Sequence, residues 1–229
     1  EFTFDMSSSG TYTGSLSGSG LFTKAGVGTL TVTAANPHTG TTRIEAGVLS
    51  LANTDAFASG TLDLRVGDTG TLSFALAGSN TYSIGRLYGA RNLDLGSNSL
   101  SIGGNTAAGY YSGVLSGSGG LTKTGSGSAT LAGANTFTGT TRVAAGSLVL
   151  ESTGALSGST LDLNGADSGT VSLGVAGTNT YALGGLQGSR NLALGANSLS
   201  VGGNGGSTTY SGVLSGAGGL TKTGAGTLT

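Results

Sequence analysis

Short apolar runs recur along the chain every 6 to 12 residues, separated by Gly, Asn, Ser or Asp. From Tyr111 to Val201 they read YSGVL, GLTK, ATL, TTRV, SLVL, TLDL, TVSL, TYAL, NLAL and SLSV. Each is of strand length, and apolar positions alternate within them, as in Leu161 and Leu163, Leu192 and Leu194, or Leu199 and Val201. Period-2 alternation places one set of side chains inside and the other outside a half-buried strand. No window of 11 or more residues carries helical spacing; NTDAFASG and its counterpart STGALSGS offer at most a single turn. The pattern predicts an all-β chain whose turns are too short for crossover helices.

The pattern also repeats. Lys24, Lys123 and Lys222 are 99 residues apart, and the same offset joins GTTR at Gly40 and Gly139, TLDL at Thr61 and Thr160, and RNL at Arg91 and Arg190. Residues 12–110 and 111–209 align without a gap, with 53 identities in 99 positions, and residues 210–229 begin a third unit. The third copy stops within GTLT, in mid-pattern, so the chain reads as a fragment of a longer protein. The strand rhythm runs through each junction without a linker, which favours one continuous β-solenoid over residues 1–229 rather than separate sandwich domains. Small interior residues and the absence of tryptophan point the same way. With four or five rungs per unit, each unit rises roughly 20 Å.

Composition removes several classes of function. Charged residues are 8% of the chain and the net charge is −1, leaving no basic footprint for nucleic acid. The chain has no cysteine, which excludes disulfides and thiolate chemistry. No apolar run is long enough for a membrane helix, so no membrane insertion by this segment is expected, and EFTFDMSSSG lacks the basic start and apolar centre of a signal peptide. Its 47 glycines follow no G-X-Y period, so collagen is excluded too.

Residues Ser116–Leu150 resemble the passenger-associated repeat of bacterial autotransporters. The resemblance rests on Gly119-Gly120, Leu121, Lys123, Gly125, Leu131, Asn135, Phe137, Gly139, Val143, Ala145-Gly146 and Leu148–Leu150. The first copy is looser, with Phe22 at the repeat leucine and NPHTG where the second has NTFTG. It implies a right-handed parallel β-helix, exported across a Gram-negative outer membrane and displayed outside the cell. The membrane barrel of such a polypeptide lies outside these residues.

Some motifs tempt toward chemistry. DTG at Asp68–Gly70 and DSG at Asp167–Gly169 spell the paired signature of aspartic proteases, whose carboxylates must lie about 3 Å apart to share a proton. A solenoid puts them a whole unit apart, so both read as turns between strands. His38 is the one histidine and becomes Phe137 a unit later, which reads as packing. The glycine-rich stretches lack phosphate-loop spacing and any following helix. Lys24, Lys123, Lys222, Arg43, Arg142, Arg91 and Arg190 recur one per unit and read as isolated, solvated surface charges. No catalytic, cofactor-binding or metal-binding residue is therefore assigned.

The sequence leads to a surface-displayed structural or adhesin segment of a secreted autotransporter-type passenger. It acts as a rigid stalk that presents or contributes to adhesion and is not an enzyme. The alternative is a direct binding or self-association module working through its stacked strand faces. The partners implied are host or bacterial surface molecules, or a second copy of the chain, and no nucleic acid.

Overall fold

The computed structural model describes all of residues Glu1–Thr229. It contains no helix, and its strands pair in parallel into a β-solenoid of about 11 turns. Alternation governs burial as expected: Ser198–Val201 and Ser147–Leu150 bury every second side chain. The 37 buried apolar residues form one continuous core along the axis. Burying apolar surface in a single column holds the turns together, while each strand finds its backbone partners in the turns on either side.

Each turn has three faces. On the first, Phe22, Thr42, Leu62 and Leu87 follow one another in register. Two residues beyond Leu87, Gly89 begins the continuation through Tyr111, Leu131, Leu150 and Leu173. On the second, Tyr12, Val32, Leu51 and Phe74 are stacked, and further along so are Leu156, Leu183, Val201 and Lys222. On the third lie Phe57, Ile84, Ile102, Lys123 and Val143. The long strands Phe57–Leu64 and Thr81–Gly89 each turn a corner from the third face to the first, which is why they pair in two places.

The three faces fix how many turns a unit contains. From Lys24 the chain returns to the first face beside Ile44, Leu64, Gly89 and Tyr111, then passes Leu115 and reaches the third face at Lys123. One 99-residue unit is therefore four and two-thirds turns, a rise of about 22 Å at ~4.8 Å per turn. The expected four or five rungs bracket this value, but the unit is not a whole number of turns. Lys24, Lys123 and Lys222 occupy the first, third and second faces respectively.

Threonine does not always face outward. Thr42 and Thr141 point inward and are fully buried. Thr141 Oγ1 is paired with Ser159 Oγ at 2.8 Å. Gly60 occupies the position one unit before Ser159, and Thr42 Oγ1 has no partner.

Candidate interaction surface

The repeated lysines are not solvated. Lys24 is 0% and Lys123 1% exposed, each lying two residues after an inward apolar residue, Phe22 or Leu121. Alternation sends the lysine stem into the core, and its ammonium is met by backbone carbonyls at the next corner. Lys24 Nζ donates to the carbonyls of Ala25, Gly26 and Ala46, at 2.6, 2.8 and 3.2 Å. Lys123 Nζ donates to Thr124, Gly125 and Ala145 in the same way. The third carbonyl belongs to the neighbouring turn, so each lysine ties two turns together. The corner depends on Gly26 and Gly125, held at φ 69° and 63° in the left-handed region that glycine alone adopts at no steric cost. Burial pulls both lysines below the ordinary ammonium pKa, offset at Lys24 by the charge of Asp5. Lys222 makes two of these bonds and is exposed on the last turn.

The other repeated polar residues are also ties between turns. Asn135 accepts from Leu115 N at 2.8 Å and donates to Ala155 O at 2.9 Å, bridging the turns before and after its own. Asn36 does the same between Leu16 and Ala56. Arg91 reaches the carbonyls of Arg65, Gly70 and Ile44, and Arg190 those of Asn164, Gly169 and Val143. Satisfying buried carbonyls with charged donors is worth more than neutral pairing.

The two acidic motifs are separated by the unit rise, about 22 Å along the axis, so their carboxylates cannot share a proton. Each sits at a turn and is held by an arginine of the preceding turn. Arg43 grips Asp68 with two bonds of 2.8 and 2.5 Å, and Arg142 grips Asp167 at 2.8 and 2.6 Å. The arginine hydrogen bonds lower both carboxyl pKa values. His38 is buried between the rings of Phe22 and Phe57, at centroid distances of 6.5 and 6.4 Å, as the Phe137 correspondence implied.

Solvent therefore meets a surface whose charges are mostly occupied, and the departures from repetition stand out. On the first face Asp63 pairs with Tyr88 in the next turn, and the Tyr111–Gly89 pairing brings Tyr110 beside Tyr88 in the turn after. Both tyrosines are 44% exposed. The Arg86 guanidinium lies 5.7 Å from the Tyr88 ring centroid. One unit later these positions hold Asp162, Gln187, Thr209 and Gly185, and Asp162, Gln187 and Thr209 line an open polar groove. The aromatic cluster was not singled out in the sequence; its signal is the set of positions where the two units disagree.

Uninterrupted parallel stacking with polar side chains that stitch turn to turn defines a β-solenoid repeat protein. The passenger-associated-transport-repeat family matches residues 22–51 and 121–150, and these segments are autotransporter passenger repeats. Both copies match, including the looser first one. The Adhesin BmaC autotransporter of Brucella suis biovar 1 (strain 1330) is 33% identical over 149 residues, covering 63% of this chain and 4% of that protein. The chain thus corresponds to a small part of that relative's length. No solved structure matches it.

Proposed function

We propose that this chain is a rigid segment of an adhesin-type autotransporter passenger, displayed outside a Gram-negative cell, where it holds or contributes to an adhesive surface. The observation that supports this reading most is the unbroken stack of turns, in which the repeat motif places an ammonium or amide across each recurring corner. Its likeness to a protein described as an adhesin supplies the second support. Such a column resists bending because every turn is bonded to its neighbours on three faces. Lys24 and Lys123, Arg91 and Arg190, and Asn36 and Asn135 are occupied in joining turns, as a rigid column requires.

The test is to display the passenger with one 99-residue unit removed or duplicated, keeping a terminal epitope. A stalk moves the epitope by about 22 Å per unit, measured by fluorescence distance from the membrane, and adhesion changes with reach. Epitope height independent of unit number would overturn the reading.

A further inference from the structure

We propose that the Tyr88–Tyr110 cluster is a binding site for an acidic saccharide. Two exposed tyrosines on adjacent turns, about 4.8 Å apart by strand spacing, offer aromatic faces to the C–H face of a pyranose ring. Arg86 supplies the charge. It donates to Thr61 Oγ1 at 3.1 Å and to Ala108 O at 3.3 Å but forms no ion pair, unlike Arg43, Arg65 and Arg142. The patch therefore carries one uncompensated cation beside its rings, complementary to a carboxylate or sulfate on the sugar.

Asp63 gives an independent sign of a missing partner. It is 5% exposed, its Oδ2 accepts from Arg65, and its Oδ1 has no donor. Buried acceptors are almost always satisfied, and an orphan beside an exposed aromatic invites a donor. A sugar hydroxyl is such a donor, and the Arg65 pair at Oδ2 keeps the Asp63 charge neutralised beside an anionic sugar. Hydroxyls, a flat C–H face and an anionic substituent occur together in a uronic-acid oligosaccharide.

The second unit supplies variants that this fold already accommodates. Tyr88→Gln, Tyr110→Thr and Arg86→Gly convert the site into its counterpart at Gln187, Thr209 and Gly185. Titration calorimetry of the 229-residue chain with tetragalacturonate, and with cellotetraose as the neutral arm, tests the assignment. Saturable binding of tetragalacturonate is expected, weakened at least roughly tenfold in the triple variant, with melting temperature unchanged. Cellotetraose should bind roughly tenfold more weakly than the acidic sugar. No saturable binding of either sugar, or equal binding by the triple variant, would overturn the site; equal affinity for both sugars would overturn its acidic preference. The inference goes beyond the stalk reading. A segment that changes epitope height by unit but binds no sugar refutes only the site, and the converse result refutes only the stalk.

Discussion

Lys24 and Lys123 make the same three carbonyl bonds at equivalent corners, yet they point into the solenoid from different faces. The corner is thus a local device that works wherever the unit places it. Lys123→Met keeps the apolar stem and removes the donor, leaving the Thr124, Gly125 and Ala145 carbonyls unpaired. The expected loss is at least about 3 kcal/mol, since three carbonyls are orphaned and each buried polar group left unpaired costs about 1–3 kcal/mol. Lys222→Met, on the exposed last turn, should change the denaturant midpoint little. Equal effects at the two positions would contradict the corner assignment.

Thr42 and Thr141 give a matched pair with opposite expected signs. Thr42→Val removes a buried hydroxyl that has no partner and should raise stability by about 1 kcal/mol. Thr141→Val breaks the 2.8 Å bond to Ser159 and should lower it by about 1 kcal/mol. Urea denaturation of both variants reads the difference directly.

Acid should weaken the fold through Asp68 and Asp167. Hydrogen bonds from Arg43 and Arg142 hold their folded pKa values below the ordinary 3.8. The folded chain therefore binds fewer protons than the unfolded one in that range. The stabilisation is complete above about pH 4 and disappears as pH falls through the folded values. Melting curves from pH 7 to 2 should show a shallower acid decline in Asp68→Asn/Asp167→Asn than in the parent. Parallel curves would mean that the pairs do not contribute.

Removing residues 111–209 joins Tyr110 to Tyr210, which then takes the place of Tyr111 beside Gly89. Because the incoming sequence is equivalent, the shortened chain should fold and lose about 22 Å of length. Removing residues 111–165 instead sets unlike turns against one another. Small-angle scattering should report a shorter rod for the first deletion and loss of a rod for the second. Collapse of the whole-unit deletion would mean that the turns do not act as neighbours only.

Strands, repeat length and stacking were legible because alternation and self-similarity are written directly into side-chain type. The lysine corners were legible in position but not in charge. Lys123 stands two residues from inward Leu121, yet an ammonium is normally assigned to solvent because burying it alone is costly. What reverses that expectation is the convergence of carbonyls from two turns, a tertiary fact. Arg43 and Asp68 recur as Arg142 and Asp167, so a fixed 25-residue offset was present in the sequence, but only the stacking shows that this offset crosses one turn. The fractional turn had no sequence signature, since a period in residues says nothing about how many corners those residues round.

Four and two-thirds turns per unit has a geometrical outcome. Each unit is swung by a third of a circle relative to the one before it, so three consecutive units return to the starting direction after 14 turns, about 67 Å along the axis. A feature written once per unit climbs the column as a spiral staircase with three landings rather than a straight stripe. Seen from any one side of the column, such a feature therefore comes forward in one unit out of three.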